Sequence, residues 1–515
     1  MRKITIIMLG TLMLSLGSCT DDLNTTPTTQ LSLEELLAQD PNAIEGIVSR
    51  LYGSFALSGP NGVGSSDISD DPGESPFLRG IINLQDFTAD GMKNRWGDDG
   101  LDQLTTATDW DGNNKFFRYV FNRIYYTIPQ CNNLLQVLEQ VNVENKEIIR
   151  SETRFVRALA YFYLIDSYGK GVLATEDNLG QVAPLPESTR QELFDFVEAE
   201  LLEIVPILPE TNSYGRANTY VASMLLANLY INAGVYTGTT RYDDAAIYVN
   251  KVLTGGYSLD PNFVKVFSAD NFESPEIIFP LIADSQVSQS YGNTTYIVNG
   301  NLSPDTITLS DFGATEGWQG HRATKAWYGL FASDEEGLEA SNDVRASLFW
   351  TQGHNFEMND YRTWTDGYPS IKFRNTEFQQ ASTPTAFSST DFPLYRLADT
   401  YLMYAELAVR GASGTDMNTA LTYVNQIRTR ANATTVAVSA LTEQFILDER
   451  ARELNLEGHR RTDLIRFGKF TGGSYLWPWK GGIESGTSIP DTYRLFPIPN
   501  QALQANPNLQ QNPGY

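Results

Sequence analysis

Residues 113–140, reading NNKFFRYVFNRIYYTIPQCNNLLQVLEQ, place apolar side chains at Phe117, Val120, Phe121, Ile124, Ile128, Leu135 and Leu138. Spacings of three, four and seven put these groups on one face of a helix, and such a face has to be buried against another element. The same period returns over 143–168, 189–208, 218–235, 241–254, 395–410, 415–431 and 441–457. Glycine follows or closes many of these runs, at Gly169, Gly234, Gly255, Gly411 and Gly458. Pro129 falls inside the first run, where a kink or a break is expected. The fold class that follows is mostly α, built from helices that cover one another's apolar faces.

Two helix pairs look related. LLANLYINAG followed by RYDDAAIYVNKVL sets Ala227, Tyr230 and Gly234 ahead of Ala245, Ala246, Val249 and Val252. LMYAELAVRG followed by MNTALTYVNQIR sets Ala405, Leu407 and Gly411 ahead of Ala420, Val424 and Ile427. Small residues at crossing points let helices approach closely, as tetratricopeptide-like pairs require. An ordinary antiparallel helix pair fits the same pattern. Between the helical runs, residues 58–112 and 255–394 are rich in Gly, Ser, Asn, Asp and aromatics. Loop regions of that length are usually functional or carry small elements of their own.

The first residues read as a targeting segment. Arg2 and Lys3 precede an apolar run from Ile4 to Leu16, and Gly17 and Ser18 precede Cys19. The run is too short and wrongly flanked for a spanning helix, so residues 1–18 are expected to be a secretory signal. Cys19 at the cleavage point is the expected lipidation site. Residues 19–30 then form a polar tether, of which Thr20–Gln30 spans about 35–40 Å when extended. Several acyl chains hold a protein to a bilayer, whereas one alone holds it marginally. Asp21 and Asp22 resemble a surface-export signal of Bacteroidetes lipoproteins.

The formal charge is −25, and loss of Arg2 and Lys3 with the signal takes it to −27. That balance excludes nucleic acid as a partner, which requires basic patches. Only two cysteines are present, so lipidation of Cys19 leaves Cys131 with no internal partner.

Catalytic chemistry has little to stand on. His459 sits at a helix boundary in EGHRRTDLIRF, where capping or pairing with a carboxylate is expected, while His321 and His354 lie in loop-rich stretches without metal-ligand spacing. No G-x-S-x-G elbow, H-E-x-x-H helix or P-loop appears. A glycosidase needs only two carboxylates about 5–10 Å apart, but nothing selects a pair among 62 acids. The charged stretch ILDERARELNLEGHRRTDLIRFGKF, residues 446–470, is expected to be a solvated, ion-paired face that joins helices rather than touching a ligand. Acidic loop residues are chemically able to hold a structural Ca²⁺, but no ligand spacing singles out a set. No cofactor is expected.

The loops carry the better candidates. Residues 74–99 hold Arg79, Trp96 and Asp99, residues 289–298 hold Tyr291, and residues 315–320 hold Trp318. A sugar offers a C–H face suited to aromatic rings and a hydroxyl rim suited to Arg and Asp. Each aromatic read alone also fits a loop anchor.

Four stretches together, RFVRALAYFYLIDSYG (154–169), YRLADTYLMYAELAVRG (395–411), VNQIRTRA (424–431) and ILDERARELNLEGHRRTDLIRFG (446–468), resemble the SusD/RagB family of Bacteroidetes outer-membrane glycan-binding lipoproteins. The ending LFPIPNQALQANPNLQQNPGY (495–515) is similar to the family's tail. The resemblance implies one domain over residues 31–515: a tetratricopeptide-like scaffold with a large loop-rich irregular region bearing a glycan site. It also implies no catalysis, surface exposure, and a SusC-like TonB-dependent transporter as partner. LYINAGVYTG (229–238), YGNTTYIV (291–298), GES with F-x-R (73–79) and YLWPWKGG (475–482) are similar to the starch-binding member. By position, Trp96, Tyr291 and Trp318 match that member's aromatic arc for α-glucan, and Arg79 matches a hydrogen-bonding position. Asp99 stands where that member has Asn, and Arg461 where the family usually has an aromatic.

Overall fold

A computed structural model describes residues 31–515 except residue 70. The lipidation site at Cys19 and the tether therefore lie outside the described residues. The main helices are α1 (Leu33–Gln39), α2 (Ala43–Ala56), α3 (Lys115–Gln140), α4 (Lys146–Ser167), α5 (Arg190–Ile204), α6 (Thr219–Ile231), α7 (Tyr242–Leu253), α8 (Thr294–Asn301), α9 (Leu397–Val409), α10 (Met417–Arg430), α11 (Glu443–Leu454) and α12 (Arg460–Arg466). Their starts are chemically marked. Thr189 and Glu192 form a capping box at α5, and Asn218, Asp416 and Thr442 accept backbone N–H groups at α6, α10 and α11.

The helices stack in successive antiparallel pairs. α3 packs on α4, α4 on α5, α6 on α7 and α9 on α10, while α7 and α9 join the two last pairs. Ala227, Ala245, Ala246, Ala405, Ala420 and Val424 are all buried at these crossings, so the two related sequence pairs are stacked tetratricopeptide-like units. α3 runs through Pro129 without a break. Pro removes one N–H, and packing of a 26-residue helix on both neighbours outweighs that loss. Gly169, Gly411 and Gly458 adopt left-handed φ as helix stops. Gly234 instead lies within a short helix (Ala233–Thr237), and after α7 it is Gly256 rather than Gly255 that turns left-handed. Among the described residues no helix is long and apolar enough to cross a membrane.

The charged stretch 446–470 differs from expectation in one respect: its ion pairs are buried rather than solvated. Glu453 is fully buried and accepts from Arg345 Nη1 at 3.0 Å, Arg396 Nη1 at 2.8 Å and Arg430 Nη2. Arg450 joins Asp399 of α9 at 2.7 Å to Asp463 of α12 at 2.8 Å. The expected role of joining helices stands, since the partners come from several elements. His459 takes the position before α12 without a side-chain cap. Arg461 is buried in an aromatic slot, its guanidinium 4.1 Å from the Phe496 ring centre and 5.3 Å from that of Phe470. It donates to the carbonyls of Tyr493 and Arg494, and burial pushes its pKa down to about 10. Cys131 is buried in α3, with its thiol pushed up to about 12 by desolvation.

Among the described residues, six short strands lie in three antiparallel pairs: β1 (Met92–Asn94) with β5 (His321–Ala323), β2 (Gly171–Val172) with β3 (Glu187–Ser188), and β4 (Ile277–Leu281) with β6 (Phe392–Arg396). β6 leads directly into α9 and so ties the loop-rich region to the helical stack.

Candidate functional site

The β1/β5 pair sets the geometry of the aromatic loops. Register pairs Asn94 with His321, and Arg95 N–H continues the ladder to the Gly320 carbonyl at 3.1 Å. Trp96 and Trp318, 222 positions apart in sequence, are thereby brought side by side. The α8 C-terminus fixes the second loop, because Trp318 N–H donates to Asn299 O at 2.7 Å and Gly320 N–H to Gly300 O at 2.8 Å. Tyr291 enters just before α8, whose N-cap is Asn293. The Arg79 N–H donates to Gly292 O at 3.0 Å, which closes the 73–79 segment onto that entry.

The three aromatics form a continuous row. Ring centres are 6.3 Å apart between Trp96 and Trp318, with planes at 54°, and 6.4 Å between Trp318 and Tyr291, with planes at 46°. Tyr291 is 39% exposed and both tryptophans are half-buried. Each indole N–H is already spent on protein. Trp96 Nε1 donates to Trp318 O at 3.0 Å, and Trp318 Nε1 to Glu316 at 3.0 Å. A ligand therefore meets ring faces, not indole donors.

The row rests on a second set of rings, of which Tyr296 and His321 are buried and Phe387 is half-buried. Trp96 packs on Tyr296 at 5.9 Å and on His321 at 5.1 Å, and Tyr291 packs on Phe387 at 4.9 Å. His321 is fully buried, and desolvation, reinforced by Arg79 and Arg322, holds its pKa well below the usual imidazole range. It is thus a neutral packing ring. Two glycines make the close approaches possible. A Cβ at Gly320 would lie 2.5 Å from the Trp96 ring, and one at Gly300 2.2 Å from His321.

The two polar candidates separate. Arg79 is only 7% exposed. Its guanidinium lies 4.6 Å from the Tyr296 ring centre and 5.7 Å from Trp96, and donates to Gly73 O at 3.2 Å and Asp98 at 3.4 Å. That geometry braces the arc from below. Asp99 is exposed, and its neighbour Asp98 is the residue that pairs with Arg79. Tyr296, Phe387 and Asp98 are not singled out in the sequence, and His321 stands there only as a loop histidine. Only Tyr296 carried a signal, within YGNTTYIV. Among the described residues no group of three or more His, Cys, Asp or Glu is placed to hold a metal ion.

Residues 347–515 match the SusD family, and residues 84–231 match a family described as "starch-binding associating with outer membrane". Over 520 aligned residues the chain is 32% identical to the starch-binding protein SusD of Bacteroides thetaiotaomicron, with 92% of each chain covered. The chain belongs to the SusD family. Among solved structures, a SusD superfamily protein of Bacteroides thetaiotaomicron aligns with a TM-score of 0.71 at 21% identity, covering 92% of this chain and 99% of that one. Surface glycan-binding protein A of the same organism, in complex with laminarihexaose, aligns with a TM-score of 0.69 at 20% identity over 92% and 99%. These two likenesses concern the fold. As a SusD-family member the chain is a non-catalytic, glycan-binding lipoprotein of the outer membrane, exposed at the cell surface.

Proposed function

We propose that the Trp96–Trp318–Tyr291 row captures α-glucan chains of the starch and malto-oligosaccharide type and that the protein passes them to a SusC-like TonB-dependent transporter. The observation that carries capture of a coiled glucan is that successive rings are inclined to each other, by 54° and then 46°, and the α-linkage rests on the similarity to a starch-binding relative. A flat chain meets such a row at one ring only, whereas a coiled chain turns its C–H faces to follow it. Stacking supplies the contact, and the bracing of Trp96 by Arg79 keeps its cost in ordering low. Asp99, exposed and three residues beyond Trp96 in the chain, is the proposed acceptor for sugar hydroxyls. The 32% identity to a starch-binding relative favours the same sugar.

A second reading keeps the family role with another glycan. A protein of the same fold is complexed with laminarihexaose, a β-glucan, so the ring inclinations do not by themselves select the α-linkage. Calorimetric titration of the full-length protein with maltoheptaose and with laminarihexaose distinguishes them. Saturable heat release with maltoheptaose alone supports the α-glucan reading, and heat with laminarihexaose alone moves the protein to the second. Binding of maltoheptaose without heat, driven by entropy, contradicts the stacking and hydrogen-bonding mechanism.

A further inference from the structure

Helices α9 and α10 and the loop after α7 line an open groove of about 840 Å³. It is lined by Tyr257, Tyr401, Thr422, Asn425, Gln426 and Arg430, none of which belongs to the aromatic row. Its two rings are already fixed in place. Tyr401 lies face to face with Tyr423 at 4.2 Å and 14°. Tyr257 is edge-on to Tyr220 at 6.1 Å, and its hydroxyl accepts from Asn218 Nδ2 at 3.2 Å. One wall is equally rigid, since the Asn425 amide donates to Val436 O at 3.0 Å and accepts from Val436 N–H at 2.8 Å. Thr422 and Gln426, one helical turn apart on α10, are exposed, and the Thr422 hydroxyl donates to Asn418 O at 2.9 Å.

Arg430 points to what the groove accepts. Its side chain is 4% exposed. Nη1 donates to Glu276 at 2.8 Å and Nη2 to Glu453, while the buried Nε–H has no partner among the described residues. That atom is shut off from solvent, so a ligand in the groove does not reach it. The guanidinium charge is already balanced by two carboxylates, so an anion gains little there. Apart from the buried Asp260, whose carboxylate accepts from Asn262 N–H at 2.9 Å, the remaining polar groups are hydroxyls and the amides of Asn425 and Gln426, set beside apolar side chains and the two tyrosine rings, which suit a neutral polyhydroxy ring with apolar C–H faces.

We propose that this groove is a second binding site for a neutral oligosaccharide, formed by the helical scaffold and independent of the aromatic row. The site goes beyond the proposed function, because its residues come from different elements and it stands if the row binds nothing.

The test uses full-length protein in a detergent without a sugar headgroup, with maltoheptaose and laminarihexaose as probes. Binding is read by saturation-transfer NMR, and tryptophan emission reports the row alone, since the groove lining contains no Trp. A Trp96→Ala/Trp318→Ala protein is expected to keep saturable binding of at least one probe. Adding Gln426→Phe or, separately, Thr422→Arg is expected to weaken that residual binding at least tenfold. In the otherwise wild-type protein, both substitutions leave the emission change on sugar addition intact, which controls for folding. Absence of residual binding in the Trp96→Ala/Trp318→Ala protein overturns the proposal, as does residual binding that neither α10 substitution alters. Unchanged wild-type emission together with binding lost in the α10 variants supports the groove while removing the row.

Discussion

The indole of Trp96 donates to the main-chain carbonyl of Trp318 at 3.0 Å, so one ring of the row is oriented by the backbone that carries the next. Neither tryptophan is positioned independently. Both depend on the three-residue β1/β5 pair and on the glycine that follows Trp318 by two positions.

Gly320→Ala tests that dependence without touching a ligand-facing atom. The added Cβ would sit 2.5 Å from the Trp96 ring and has to displace it. Sugar affinity is expected to fall about tenfold or more, equivalent to about 1.4 kcal/mol. The measurement is calorimetric titration beside a thermal melt. Unchanged affinity would show that the ring orientation set by Gly320 has no bearing on binding.

Glu453→Gln tests the buried ion network. Glu453 is the shared acceptor of Arg345, Arg396 and Arg430, and their charges hold its carboxyl far below the ordinary range despite burial. Neutralising one member of such a cluster leaves uncompensated buried cations, and removal of one partner typically costs about 3–5 kcal/mol. Urea unfolding at pH 7 is expected to show a loss of that size. A loss below about 1 kcal/mol would mean that the network is redundant.

Asp86 gives the pH dependence a sign. Burial pushes its carboxyl up to about 7; one oxygen accepts from Gly458 N–H at 3.0 Å and the other has no partner among the described residues. In the unfolded chain the group ionises near 4. Below that pH both states hold the proton. Between about 4 and 7 only the folded state keeps it, so this residue removes stability as pH rises, by about 1.4 kcal/mol per unit. Asp86→Asn keeps a neutral acceptor and lacks this loss. The variant is therefore expected to gain on the wild type between pH 4.5 and pH 7 in parallel urea titrations. A difference that stays constant with pH would contradict the buried, protonated carboxyl.

The helical frame was legible because its signal is local. Apolar residues three and four apart in 146–167 or 417–430 must share a face, and Ala227 or Ala420 at a crossing announces a close neighbour. The charged stretch from Glu449 to Arg466 misled on solvation for the same reason: sequence shows that charges alternate, not that Arg345 and Arg396 arrive from far along the chain to cover them. Arg461 shows the limit again, since a cation sits among Phe470 and Phe496 where composition gives no hint of a ring-lined slot. At the site, Trp96, Tyr291, Trp318 and the buried Arg79 were nameable, while the supporting rings were not. His321 reads as a loop histidine until the strand pairing with Asn94 places it under Trp96.

The most direct test of the account is affinity electrophoresis of full-length protein, in a detergent without a sugar headgroup, through gels containing amylopectin, laminarin, dextran or levan, with Trp96→Ala alongside. The account predicts retardation by amylopectin that is lost in the variant, with free migration through dextran and levan. Free migration of the wild type through amylopectin would contradict the α-glucan assignment, and equal retardation of wild type and Trp96→Ala would contradict the aromatic row as the site.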